Sequence, residues 1–172
     1  PAFLAKVESK VNKRSVVVDP MLDAVTGQQT AATVLLENRV AERLTTKTDQ
    51  FELLPFQSAN LARAQYLLTG TMTRVEGSSA DRKRARRINL ALTDLKTARG
   101  VAQQSAVARD EGLDHTPLAY YRDSPVLVKD KVIEGYARTS ATPPGQRGDP
   151  FYLERIAAAT VINEATALYN QE

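Results

Sequence analysis

The pattern of apolar and polar positions predicts β-strands over the first two thirds of the chain. A β-branched run at 15–18 stops at Asp19 and Pro20, because proline lacks the N–H that a central strand needs. Strict alternation at 88–93 indicates a half-buried strand. Further strands are predicted at 51–56, 66–75 and about 101–108.

Helical spacing predicts helices between and after these strands. Ala32, Leu36, Val40 and Leu44 recur every four residues, which predicts a helix over about 30–44. Ser58 is the predicted N-cap of a short helix at 58–64, because its hydroxyl can accept a hydrogen bond from the first turn. Another helix is predicted at 129–138.

The clearest helical pattern lies at 151–169, with Asp149 as the predicted N-cap and Pro150 at the first position. Its middle, 156–162, is apolar nearly all round. Such a helix is buried on more than one side, or its apolar flank packs against a partner or a further part of the chain. Because no cap signal follows Tyr169, we expect the natural chain to continue.

The order of these elements predicts an α+β fold. One parallel crossover followed by an antiparallel meander gives a mixed sheet of about five strands packed against helices. We expect this core to occupy 15–110, after an N-terminal arm or helix at 1–14. An irregular segment and two helices at 111–172 are expected to pack on the core as a C-terminal extension.

The amino-acid composition excludes several kinds of chemistry. A chain of 172 residues with 42% hydrophobic residues is long enough for one domain with a substantial core. Cysteine is absent, which excludes disulfides, cysteine-ligated zinc, iron–sulfur clusters and thiol nucleophiles. The glycines form no phosphate-binding loop, and we expect no cofactor.

Excess positive charge is concentrated in one short run. The net charge is +3, and residues 82–87 hold five cations, namely Arg82, Lys83, Arg84, Arg86 and Arg87. This run can meet an acidic protein surface, acidic lipid headgroups or a phosphate-rich polymer. It can also be a solvated hairpin tip that keeps an edge strand from aggregating. No aromatic residue flanks it, which makes nucleic acid an unlikely partner.

Candidate catalytic and metal-binding residues are few. His115 is the single histidine and neighbours Asp114, but no G-x-S-x-G sequence accompanies it, so we predict an ordinary loop histidine and no enzyme. Asp19 and Asp23 flank the end of the first strand and could share a cation, although turn and cap roles are favoured. We predict no metal site.

Two stretches resemble those of a known family. Residues 64–72 read AQYLLTGTM, and 90–100 read LALTDLKTARG. In this order and spacing they resemble the strand motifs of the LpoB and CsgG type of bacterial envelope lipoproteins, whose domain resembles the N-terminal domain of TolB. The resemblance covers about 15–108. The sequence departs from the family pattern at two places. Ala98 takes a place where the family often has glycine, and 109–172 has no counterpart in the small activator domains.

The resemblance implies a periplasmic, non-catalytic module that acts by docking onto an envelope protein, as an accessory or sensor part of an envelope or secretion assembly. Any membrane contact would be made through an anchor outside this sequence. We expect the basic run and two aromatic residues, Tyr120 and Tyr121, to contact the partner; the tyrosines can line a groove or cover the sheet as core. The alternatives are polyanion binding through 82–87, and the ligand-sensing periplasmic domain of a transmembrane signalling protein.

Overall fold

A computed structural model describes residues 13–47, 49–75, 85–124 and 129–171. These ranges contain six strands: β1 (Arg14–Val18), β2 (Leu22–Asp23), β3 (Phe51–Pro55), β4 (Tyr66–Arg74), β5 (Ala85–Asp94) and β6 (Gly100–Arg109). They also contain six helices: α1 (Ala31–Thr46), α2 (Ser58–Leu61), α3 (Ala119–Asp123), α4 (Lys131–Ser140), α5 (Pro150–Leu153) and α6 (Ile156–Gln171).

The strands form one mixed sheet in the order β3-β1-β4-β5-β6. β1 is parallel to both β3 and β4, whereas β4, β5 and β6 form an antiparallel meander. The predicted α+β class is confirmed. The sixth strand, β2, has no counterpart among the predicted strands, because a two-residue strand carries no alternation to detect.

The ladder on one side of β4 is interrupted between β1 and β2, which both pair with β4. Val18 lies opposite Leu68, and Leu22 lies opposite Thr71. Three residues, 19–21, therefore face only two residues of β4. An extra residue in one strand forces a bulge, and Pro20 has no N–H with which to continue the ladder. This bulge turns Asp19 out of the sheet.

Helices cover both faces of the sheet. On one face Val16, Met21 and Leu68 form a buried cluster with the apolar side of α1. On the other face Val17 and Leu67 belong to a larger cluster that includes Tyr136, Tyr152 and Ile156 of α4, α5 and α6. Adjacent strand residues point to opposite faces, so the pairs Val16–Val17 and Leu67–Leu68 each contribute to both cores.

Two helix predictions need correction. The helix predicted at 151–169 is broken, because the Arg155 N–H bonds to the Tyr152 carbonyl and tightens the turn before α6 begins. The predicted Asp149 cap is confirmed, since its carboxylate accepts from the Tyr152 N–H. Ser58 is not the cap of α2: its own N–H donates to Glu164 Oε1 at 2.8 Å, so α6 supplies the acceptor.

The predicted N-terminal arm or helix at 1–14 lies almost wholly outside the described residues. Its last residue, Arg14, is the first residue of β1. The predicted helix at 129–138 is α4, which begins and ends two residues later than expected. Its N-cap is Asp130, whose carboxylate accepts a hydrogen bond from the Ile133 N–H at 2.9 Å.

Candidate functional site: an apolar cleft beside an exposed helix face

An apolar cleft of about 370 Å³ opens between the bulge that follows β1 and helices α3, α4 and α6. α4 contributes Val132, Ile133 and Tyr136, and α6 contributes a row of mostly small residues that includes Ala158, Ala159 and Ile162. Gly135 allows α4 to lie close to α5, because a Cβ there would be 2.8 Å from the Cβ of Tyr152. The close packing of α4 on α5 places Tyr136 and Tyr152 together in the lining of the cleft.

Asp19 provides the carboxylate of this cleft. The Tyr152 hydroxyl donates a hydrogen bond to Asp19 Oδ2, and the Asp19 N–H donates to the Leu68 carbonyl at 3.1 Å. Burial raises the pKa of Asp19 to about 7, against the smaller opposing effect of the Tyr152 hydrogen bond. Glu37 of α1 is the nearby carboxylate, and burial raises its pKa to about 7 as well. The charge of Glu37 adds a smaller increase to the pKa of Asp19.

Aromatic hydroxyls surround this carboxylate. The rings of Tyr136 and Tyr152 meet edge to face with their centroids 5.5 Å apart. Burial, and then the charge of Asp19, raise the pKa of both hydroxyls well above 10, so both stay protonated. Tyr121 accepts a hydrogen bond from Gln29 Nε2 at 3.1 Å, and burial raises its pKa to about 12.

The outer wall of the cleft is held to the end of α6. Asn170 Oδ1 accepts from the Tyr120 N–H at 2.8 Å, and the Tyr169 hydroxyl donates to Asp123 Oδ2 at 2.8 Å. The rings of Tyr120 and Tyr169 meet edge to face with centroids 6.1 Å apart. Both predicted tyrosines, Tyr120 and Tyr121, line the cleft and are partly buried. Whether they contact a partner stays a prediction.

The outward face of α6 is apolar along its whole length. At 3.6 residues per turn, seven residues fall within about 140° of the helix circumference: Ala157, Ala158, Val161, Ile162, Ala165, Leu168 and Tyr169. All seven are exposed, with the large side chains at 57% for Val161, 61% for Ile162, 66% for Leu168 and 44% for Tyr169. We call this set the α6 face. It adjoins the cleft, because Ala158 and Ile162 belong to both.

A chain of ion pairs lies at the opposite end of the bulge. Arg86 Nε is 3.1 Å from Asp110 Oδ2, and Arg86 Nη1 is 3.8 Å from Asp23 Oδ2. His115 Nε2 is hydrogen-bonded to the other oxygen of Asp110. Burial alone would raise the pKa of Asp110, but the hydrogen bonds of His115 and Arg86 hold it below its ordinary value. Asp23 Oδ1 accepts from the N–H groups of Val25 and Thr26, the predicted turn role.

The loop that carries His115 also begins α1. The carbonyls of Asp114 and Thr116 accept from the N–H groups of Ala32 and Ala31 at 2.7 and 3.1 Å. In the described part of the chain, no hydrogen bond joins His115 to a serine or threonine hydroxyl. The geometry therefore places His115 in the ion-pair chain that connects this loop to β5.

Of the five cations in the predicted basic contact, Arg86 and Arg87 lie within the described residues. Arg82, Lys83 and Arg84 lie outside the described residues. Arg87 of β5 is exposed, whereas the neighbouring Arg86 turns inward to the ion pairs above. The role of the basic run in partner binding stays a prediction. Sequence reasoning missed the pairing of Asp19 with Tyr152, since nothing local in the sequence relates two residues 133 positions apart.

Within 13–47, 49–75, 85–124 and 129–171, no three His, Asp or Glu side chains gather as they would around a metal ion. The helices in these ranges also lack the length and apolarity that a membrane crossing requires.

No known family model and no curated protein matches the sequence. Several solved structures are similar. The C-terminal domain of LpoB from Salmonella enterica is 16% identical with a TM-score of 0.37, over 57% of this chain and 84% of that one. A lipoprotein of Neisseria meningitidis is 14% identical with a TM-score of 0.37, over 57% and 81%. A Xanthomonas campestris protein of the DUF330 family is 13% identical with a TM-score of 0.38, over 94% and 88%.

These similar structures include LpoB, one of the two proteins after which the motif resemblance is named. The resemblance to CsgG stays a prediction from the sequence motifs.

Proposed function

We propose that this chain is a non-catalytic binding module of the bacterial envelope, on the periplasmic side, that docks onto a protein partner through the α6 face. The observation that carries the proposal is the α6 face itself. Soluble proteins rarely leave a contiguous apolar patch of this kind uncovered unless it meets a partner. The motif resemblance supports the envelope setting.

The composition of the α6 face indicates an apolar helical partner. None of its seven residues is charged, and three are alanines, which allow another helix to approach closely. A lipid surface is a poorer match. Helices that lie on membranes carry lysine or arginine beside their apolar face, whereas α6 has Glu164 as its single charged residue.

The other functions predicted from the sequence need other surfaces. Polyanion binding would use the basic run, of which the described Arg86 is already paired with Asp23 and Asp110. Docking would still allow a contact between the partner and Arg87, because this arginine is exposed on β5. The binding module is therefore the function that the described residues support best.

The test is capture of a partner from a solubilised envelope extract, followed by direct binding of that purified partner. The informative variant is Ile162→Asp with Leu168→Asp, which places two charges on the α6 face. Val25→Asp is the matched control, because Val25 is 62% exposed and lies in the turn after β2. We expect one envelope protein to bind wild type and the Val25→Asp variant equally, and to bind the double variant at least tenfold more weakly.

Equal binding to all three proteins would exclude the α6 face as the contact. Retention of nucleic acid or lipid alone, lost as the salt concentration rises, would contradict docking and favour the polyanion alternative. Sedimentation of the purified chain distinguishes a third outcome. If wild type forms dimers that the double variant cannot form, the α6 face binds a second copy of this chain rather than an envelope protein.

A further inference from the structure

The Asp19 carboxylate has no counter-ion among the residues that the structure describes. No lysine, arginine or histidine nitrogen of the described chain lies within 4.0 Å of it, although six other ion pairs meet that limit. Its side-chain partner is a neutral hydroxyl, that of Tyr152. Nearby Glu37 also takes part in none of these ion pairs. A carboxylate that lines an apolar cleft without a cation is costly in free energy unless another group provides the positive charge.

We propose that the cleft binds a small organic cation, an amine with an apolar body, whose ammonium group pairs with the Asp19 carboxylate. This proposal does not depend on docking at the α6 face. The ligand would supply the charge that the described protein lacks, and its apolar part would occupy the space between α4 and α6.

The size and lining of the cleft fit such a ligand. Its volume, about 370 Å³, is at the lower end of the range for sites that hold small molecules. Val132, Ile133 and Ile162 line its walls with aliphatic surface. The Tyr121 hydroxyl, which accepts from Gln29, adds an oxygen acceptor for an ammonium N–H.

The charges around the cleft favour a cation over an anion. Two carboxylates line it, Asp19 and Asp130, against one guanidinium, that of Arg155. The Arg155 guanidinium is directed elsewhere: it stacks over the Phe151 ring at 3.4 Å from the centroid and donates to the Phe151 carbonyl at 3.0 Å. Asp130 is exposed, so water screens its charge, whereas Asp19 is the more buried of the two carboxylates.

Ionisation of Asp19 is coupled to every group that faces it. Glu37 of α1 opposes its negative charge, the Tyr152 hydroxyl donates to its carboxylate, and the hydroxyls of Tyr136 and Tyr121 stay neutral. Because burial holds the pKa of Asp19 near 7, the carboxylate is mostly protonated at pH 5 and mostly ionised at pH 8. A bound ammonium group would favour the ionised form, so binding near pH 7 would release a proton.

The test uses three probes of one shape: 4-phenylbutylamine, 4-phenylbutan-1-ol and 4-phenylbutyrate. Binding is followed by calorimetry and by NMR shifts at pH 8 with the full chain. We expect the amine to bind at least tenfold more tightly than the alcohol, and the carboxylate to bind more weakly than both. In Asp19→Asn, whose amide can still accept from Tyr152, we expect the amine and the alcohol to bind within threefold of each other. Glu111→Gln, which removes an exposed carboxylate outside the cleft lining, is the matched control and should keep the tenfold preference.

If the Asp19→Asn variant does not fold, the pH dependence of probe binding to wild type provides the test. The amine stays charged between pH 5 and pH 8, so its preference over the alcohol should shrink towards pH 5 as Asp19 is protonated. Equal affinity for the amine and the alcohol at pH 8 would overturn the proposal. So would a preference that survives in Asp19→Asn, or a lack of detectable binding of all three probes at millimolar concentration.

Discussion

The Tyr136 hydroxyl lies 3.0 Å from the amide nitrogen of Gly70 and accepts its hydrogen bond at the point where β1 separates from β4. The same oxygen lies 3.0 to 3.1 Å from the carbonyl oxygens of Asp19, Pro20 and Gly70, to which it can donate. The bulge leaves these backbone groups without strand partners, and an unpaired buried backbone group is costly. Tyr136 of α4 therefore completes the sheet and connects it to the cleft.

Removing this hydroxyl should destabilise the protein without changing its shape. We expect Tyr136→Phe to lower the free energy of unfolding by about 2 kcal/mol, because it leaves the Gly70 N–H and its neighbours unsatisfied. Tyr66→Phe is the matched control, since the Tyr66 hydroxyl makes no hydrogen bond within the described chain, and it should change stability by less than about 0.5 kcal/mol. Urea denaturation measures both values. Equal effects would mean that water replaces the hydroxyl of Tyr136.

Stability should fall as pH rises from about 4.5 to about 7.5. Burial raises the pKa of Asp19 from 3.8 to about 7 and that of Glu37 from 4.5 to about 7. A carboxyl whose folded pKa is raised stabilises the fold fully below its unfolded pKa, and this stability is lost as pH rises through the folded pKa. As pH rises through this window, ionisation of each carboxyl should lower the free energy of unfolding by roughly 2–4 kcal/mol.

Denaturation curves from pH 4.5 to 8 check this pH dependence. Asp19→Asn and Glu37→Gln should each flatten the profile and raise stability at pH 8. Below pH 4 the sign reverses, because hydrogen bonds and charge pairs lower the pKa values of Asp110, Asp114 and Asp149, and their contributions are lost on protonation. Profiles of wild type and the two variants that run parallel would show that neither carboxyl is the cause.

Ala98→Gly should stabilise the protein. Ala98 has a φ of 60°, in the left-handed region that disfavours residues with a Cβ, and its place in the β5–β6 turn is one where the resembled family often has glycine. Relief of this strain should raise the free energy of unfolding by about 0.5–1 kcal/mol. Thermal denaturation would show this as a higher midpoint temperature. Ala106→Gly in β6 is the control of opposite sign, because glycine weakens an ordinary strand position. A loss of stability at both positions would contradict the expectation.

Arg86→Ala should be far more harmful than Arg87→Ala. The first change leaves Asp23 and Asp110 without their shared cation in a largely buried site, at a cost of about 3 kcal/mol. The second removes an exposed side chain, with an effect of about 0.5 kcal/mol or less. Chemical denaturation of the two variants measures this difference. Similar small losses would show that the ion-pair chain is solvated and contributes little.

Features that depend on a few consecutive residues could be predicted from the sequence. The strand pattern at 88–93 and the four-residue spacing from Ala32 to Leu44 correspond to β5 and α1, and the Asp149 cap is formed as expected. In each case the controlling interaction joins neighbours: alternation decides which strand face is buried, and a cap bonds an N–H three residues away. The mixed sheet followed from the order of these local elements.

The cleft was decided by the tertiary structure alone. Asp19 meets Tyr152 across 133 positions, Tyr136 reaches Gly70 across 66, and Glu164 caps α2 in place of the predicted Ser58 across 106. The exposed α6 face is of the same kind, because an apolar helix looks alike in sequence whether its flank is covered or open. Periodicity shows which side of an element is apolar. Which element covers that side, and which carboxylate is left without a counter-ion, depend on packing between distant parts of the chain.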